Sequence, residues 1–107
     1  MGTVIEGREI QIELPLDWLR DFCERWNIAE LGLFGSAARG ELREGSDLDF
    51  LISFAVDAHP SLMDVVNAQI ELEDKFGRPV DLTQRAGLRN PYRRRSILHD
   101  LIPIYAA

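Results

Sequence analysis

Three aspartates and one Gly-Ser pair carry most of the chemistry in this sequence. Asp47 and Asp49 stand two apart in Ser46-Asp47-Leu48-Asp49-Phe50-Leu51-Ile52-Ser53-Phe54, which reads as a strand. Alternate strand residues share a face, so both carboxylates are expected on one side. Neighbouring carboxylates repel and raise each other's pKa, a geometry of little use unless a cation sits between them. Oxygen donors on a rigid strand suit a hard ion such as Mg²⁺. Asp81 is the only acid on the next predicted strand, Pro79 to Thr83. If those strands are neighbours, three carboxylates converge, as in a two-metal phosphoryl-transfer site with ions about 3.5–4 Å apart.

The Gly35-Ser36 pair follows the short apolar run Leu31 to Phe34. A glycine lets the backbone turn sharply and approach a ligand closely. Ser36, read as the N-cap of a short helical turn through Ala37-Ala38-Arg39, adds a hydroxyl and an N–H, a ready anion site. Phosphate on that turn and Mg²⁺ on the carboxylates together describe a bound nucleoside triphosphate. Other phosphate and nucleophile motifs fail. Gly35 and Gly40 have P-loop spacing, but Glu41-Leu42 stands where Lys-Ser/Thr is required. Neither Gly-x-Gly-x-x-Gly nor the Gly-x-Ser-x-Gly nucleophile elbow occurs.

These residues need a scaffold, and the apolar pattern supplies one. Ile10, Ile12 and Leu14 alternate with polar residues, as a short strand or extended arm. Pro15 opens a helix over about 16–26 with Leu16, Leu19, Phe22, Cys23 and Trp26 on one stripe. Leu31 to Phe34 is a strand, Gly40 to Gly45 a loop, and Ser46 to Phe54 a strand that is apolar on both faces. Ser61 caps a helix carrying Leu62, Val65, Val66, Ile70 and Phe76, closed by Gly77. Strand Pro79 to Thr83 follows. Asn90-Pro91 then opens a last helix with Tyr92, Ile97, Leu98 and Leu101 on its apolar side, and Ile104-Tyr105 can add an extended piece. The short link makes the first two sheet strands antiparallel, and the helical crossover makes the third parallel to the second. The fold class is therefore α/β (α+β), a small mixed sheet with packed helices. Residues 1–14 form an N-terminal strand or arm, and 15–107 a single domain.

The chain has 107 residues and a net charge of −6, unevenly spread: −10 over residues 1–83 and +4 over 84–107, where Arg85, Arg89, Arg93, Arg94 and Arg95 gather. The acidic body argues against nucleic acid as a direct ligand; the basic stretch reads as a solvated face or a contact for phosphate or an acidic partner. Apolar runs are too short to span a bilayer, so no membrane is expected. No export leader is visible, and the lone Cys23 cannot pair internally; a cytoplasmic setting is expected. Cys23, His59 and His99 lack ligand spacing and read as structural or surface residues, and Glu71, Glu73 and Asp74 as a solvated helix face.

The segment Leu33-Phe34-Gly35-Ser36-Ala37-Ala38-Arg39-Gly40 through Ser46-Asp47-Leu48-Asp49 resembles the signature of the DNA polymerase β-like nucleotidyltransferase superfamily. It is most similar to the minimal nucleotidyltransferases (MNT), and the likeness extends through Asp81 to the Arg-rich last helix, over roughly residues 31–105. The resemblance implies a polymerase β palm-like fold. It implies two Mg²⁺ ions, or Mn²⁺, on Asp47, Asp49 and Asp81. It also implies ATP phosphates on Gly35 and Ser36, with Arg39 and Ser46 as further nucleotide contacts. MNT proteins act beside HEPN-domain toxins, so the implied activity is transfer of AMP from ATP to a hydroxyl, Tyr in the first place, of such a toxin. The alternative is an antitoxin that neutralises its toxin by binding alone. A drug-modifying enzyme fits less well, because one small domain leaves little room for an acceptor pocket.

Overall fold

The computed structural model describes residues 2–5, 7–10 and 12–107. Its core is a four-stranded mixed sheet in the order β5-β4-β3-β6, built from β3 (Ile28–Phe34), β4 (Leu48–Phe54), β5 (Val80–Gln84) and β6 (Ile102–Ala106). A separate antiparallel hairpin, β1 (Thr3–Ile5) and β2 (Arg8–Ile10), precedes it. Strands β3 and β4 pair antiparallel, β4 and β5 parallel, as their connections require. The pairing of β6 antiparallel to β3 turns the expected extended piece into an edge strand. Pro103 is tolerated there because an edge strand leaves one row of backbone groups unpaired, and the β3–β6 register shifts between Leu31 and Gly32.

Helix α1 (Leu16–Arg25) has Pro15 at its N-cap, whose carbonyl accepts from Leu19 N at 2.9 Å. Asn27 just beyond it adopts φ 56°, a left-handed conformation that Asn tolerates, and sends the chain directly into β3. That turn explains why β3 starts at Ile28, earlier than the apolar run suggests. Helix α2 is the single turn Gly35–Arg39, and helix α3 (Leu62–Phe76) crosses from β4 to β5. Ser61 caps α3 in a full capping box with Asp64, and Gly77 ends it at φ 67°. After a 3₁₀ turn over Arg85–Gly87, helix α4 (Pro91–Asp100) leads into β6.

The two sheet faces are unequal. Leu48, Phe50 and Ile52 of β4 enter the main core with Leu19, Phe22 and Cys23 of α1 and Ala68 and Leu72 of α3. Ile10 and Leu14 of the N-terminal segment are buried in the same core; Gln11 lies outside the described residues. On the opposite face Leu51 meets Phe34, Leu88 and Ile97 in a small second cluster.

Two apolar stripes differ from expectation. Helix α3 buries Ala68 and Leu72, whereas Leu62, Val66 and Ile70 are exposed. A helix apolar on more than one side leaves the choice of face to the partner surface, and Ala68 permits the closest approach. Tyr92 of α4 is likewise exposed, at 80%. Glu71 and Glu73 are not a plain solvated face. Glu71 accepts two bonds from Arg25, at 2.9 and 3.0 Å, and one from Trp26 Nε1, while Glu73 accepts from Val80 N at 3.0 Å and ties α3 to β5. Cys23 is fully buried, and burial pushes its thiol up to about 12.

Candidate active site

The site lies on the face of β4 that carries Asp49 and Leu51. In the β3–β4 register Phe34 faces Asp49, so Gly35 emerges from β3 beside that carboxylate. Gly35 has φ +74°, and a side chain there would collide with Asp49, whose Cγ lies 3.0 Å from where a Cβ would stand. Glycine is required twice, by its backbone conformation and by the acid packed against it. On the other side β5 sets Asp81 directly opposite Asp49. The expected juxtaposition of these two acids is therefore a consequence of parallel register.

Asp47 is placed differently from the expectation. It precedes the strand, which begins at Leu48, and lies exposed at the end of the loop from Glu41. Its charge still reaches Asp49. Burial first, then Asp81, then Asp47 raises the Asp49 carboxyl from 3.8 to about 6, with Arg39 and Arg93 acting in opposition. Asp49 is half-buried and Asp81 exposed, so the three form an open shelf. Among the described residues no three acidic, His or Cys side chains are gathered tightly enough to cage an ion as they stand. Mutual repulsion favours such spread carboxylates, and the donor set, all oxygens on adjoining backbone, fits a hard divalent cation.

Ser36 does not cap the turn. The N-cap of α2 is Phe34, in extended conformation, and Ser36 is the second helical residue, half-buried beside Gly35. Arg39 is committed elsewhere: Nε donates to Glu41 at 2.9 Å and Nη1 to Asp100 at 2.7 Å, linking α2 to the end of α4. Ser46 shapes the loop, its hydroxyl accepting from Arg43 N at 3.1 Å. The same loop is held by Arg78, whose Nη1 donates to the carbonyls of Ser46 (3.2 Å) and Arg43 (3.4 Å). The Arg78 tether is marked by no motif, and the Arg-rich stretch reads only as a solvated face or a contact for phosphate or an acidic partner, without separating out Arg93, whose charge acts on Asp49; both depend on long-range placement. A cavity of about 410 Å³ lined by Leu14, Leu48, Phe76 and Arg78 lies on the reverse face of the sheet, away from the acids.

Paired acids on adjacent strands of a mixed sheet, with a Gly-Ser turn packed against one of them, define a nucleotidyl-transfer type of domain. The sequence profile of the nucleotidyltransferase domain matches residues 17–104, and the chain belongs to that family. It is 37% identical over 79 residues to a provisionally named protein adenylyltransferase of Methanocaldococcus jannaschii, covering 74% of this chain and 79% of that one. It is also 37% identical over 71 residues to the protein adenylyltransferase MntA of Thermococcus cleftensis, covering 66% and 70%. A solved structure provisionally named a minimal nucleotidyltransferase shares 35% identity at a TM-score of 0.66, over 84% of this chain and 96% of that one. A chain from a toxin–antitoxin crystal structure with AMP-PNP has the same fold at 14% identity, with a TM-score of 0.72 over 88% and 75%. No described helix is long and apolar enough to cross a membrane.

Proposed function

We propose that this nucleotidyltransferase moves AMP from ATP to a hydroxyl, most simply a tyrosine, of a HEPN-type toxin and thereby acts as its antitoxin. The observation that carries the reading is the register pairing of Asp49 with Asp81, beside a glycine that has no room for a side chain. Asp47, Asp49 and Asp81 would hold Mg²⁺, two ions or their Mn²⁺ equivalents, which supply countercharge for the triphosphate and acidify the attacking hydroxyl. Gly35 and Ser36 would receive the β- and γ-phosphates on their backbone. The contacts of Arg39 and Ser46 within the protein make them organisers of the turn and the loop, with Arg39 adding countercharge near Asp49. The shelf is open and shallow, which suits an acceptor carried on another protein. Relatives named as protein adenylyltransferases, and a solved structure of a tri-AMPylated Shewanella oneidensis HEPN toxin with its MNT antitoxin, support this choice of acceptor.

The test is the intact mass of a HEPN protein after incubation with this chain and Mg-ATP. Wild type should add one or more AMP units and Asp81→Asn none. Neutralisation of the toxin without added mass, retained when Asp47, Asp49 and Asp81 are all changed to Asn, would refute transfer and leave an antitoxin that works by binding alone.

A further inference from the structure

Helix α3 is apolar on two sides, and the sheet uses one of them. Ala68 and Leu72 are buried with Leu48, Phe50 and Ile52 of β4. A second row, Leu62, Val66 and Ile70, repeats every four residues on the side away from the sheet. Leu62 is 80% exposed, Met63 beside it 62%, Val66 38% and Ile70 47%. No residue from Val65 to Ile70 is charged. These four exposed side chains offer on the order of 400 Å² of apolar surface, a patch of the size that marks an interaction site and about half of what one side of a stable interface buries. A single exposed apolar residue needs no explanation, but an uncharged row at helical spacing does.

We infer that this row is covered by the same row of a second copy of the chain, in an antiparallel pair of α3 helices about a two-fold axis at Val66. Such a contact requires a patch that complements itself. With Val66 on the axis, Val66 meets its own copy, and Leu62 of each chain meets Ile70 of the other, apolar residues of near-equal size. The next member of the row, four residues past Ile70, is Asp74. A parallel pair would set the two Asp74 carboxylates side by side. The antiparallel pair separates them and carries each to the first turn of the other helix, where free N–H groups favour a negative charge. The loop ahead of that turn holds one acid, Asp57, and one His, His59, so the helix end decides the sign. The net charge of −6 opposes self-association in general, and the uncharged row is where two copies approach at least cost. Helix α3 packs on the sheet face opposite Asp49, so the pair leaves both acidic shelves open to an acceptor.

Sedimentation velocity of the chain alone, at tens of micromolar, reads the mass directly. Wild type should run at twice the mass of the chain. Val66→Asp and Leu62→Asp should run as the single chain, because the pair would bury their carboxylates without partners. Leu62 is the more exposed of the two and opens the helix, where an acid is welcome, so circular dichroism of Leu62→Asp should match that of wild type and separate lost pairing from lost fold. Oxidation of Val66→Cys should give a covalent dimer, since a residue on a two-fold axis faces its own copy. Leu62→Cys, whose two copies would stand about 12 Å apart along the helices, should not cross-link. Cys23 is fully buried and takes no part. Wild type at the mass of one chain, Leu62→Asp and Val66→Asp still at twice it, or cross-linking of Leu62→Cys as fast as that of Val66→Cys would each overturn the inference. So would a single-chain wild type whose binding to the acceptor protein fails in Leu62→Asp, which would give the row to that protein instead.

Discussion

Asp49 makes folding stability depend on pH in an unusual direction. Its carboxyl titrates near 6 in the folded protein, against an ordinary 3.8, because burial and then Asp81 and Asp47 disfavour the charged form. Between those two values the native state holds a proton that the unfolded chain has released, so stability falls as pH rises through this window. Below it both states are protonated and the penalty vanishes; above it the penalty is complete. The two values correspond to about 3 kcal/mol for a fully desolvated group, and since Asp49 is only half-buried, water screens this to about 1–2 kcal/mol. Asp49→Asn removes the charge with little change of shape. In chelator, at pH 7.5, it should stabilise the protein by about 1–2 kcal/mol, which for a domain of this size raises Tm by roughly 4–8 °C per kcal/mol. At pH 4 the gain should be nearly gone. Urea or thermal unfolding of both proteins across pH 4 to 8 provides the assay. An Asn variant no more stable than wild type at pH 7.5, or one whose advantage is the same at pH 4, would refute the account of Asp49 as a charge under repulsion.

The paired glycines offer a second check. Gly35 and Gly40 both have positive φ, but a Cβ at Gly40 meets nothing within 4 Å while one at Gly35 meets Asp49. Gly40→Ala should therefore cost about 1–2 kcal/mol, the price of the left-handed backbone, and Gly35→Ala clearly more; equal losses in urea denaturation would show that the carboxylate contact carries no energy. Cys23, buried and with its thiol pushed up to about 12, should resist maleimide labelling except through unfolding, so its labelling rate should accelerate with urea. Fast labelling in native buffer would contradict the packing of α1.

The elements most legible in the sequence are those whose signals are local. The capping box at Ser61, the stop at Gly77 and the cap at Asn90 all fall where short-range chemistry puts them. Strand β4 was readable from its centre, but not its start, because Asp47 and Ser46 continue the alternation without pairing. The meeting of Asp49 and Asp81 was deducible from a helical crossover, since parallel neighbours follow from topology. The packing of Gly35 against Asp49 was not, because it depends on the β3–β4 register, which no short motif encodes. Arg39 shows the limit of motif reading. It stands within the signature segment, yet its donors go to Glu41 and to Asp100, 61 residues away. On α3 the exposed Leu62, Val66 and Ile70 compete with Ala68 and Leu72 for the core, and the smaller stripe wins because it lets the helix lie close to the sheet.

The thin cluster of Phe34, Leu51, Leu88 and Ile97 under α4 has a consequence for how the molecule breathes. Free energies of opening within one domain range from near zero to the global value, and they follow the apolar area each unit buries. The sheet shares its other face with α1 and α3 and should open only with the whole protein. Helix α4, with one buried side chain of its own, can lift while β3 and β4 stay paired. Amide exchange should then divide the site face along a seam: slow protons in β3 and β4, the strands that end and begin at Phe34 and Leu48, fast ones in α4.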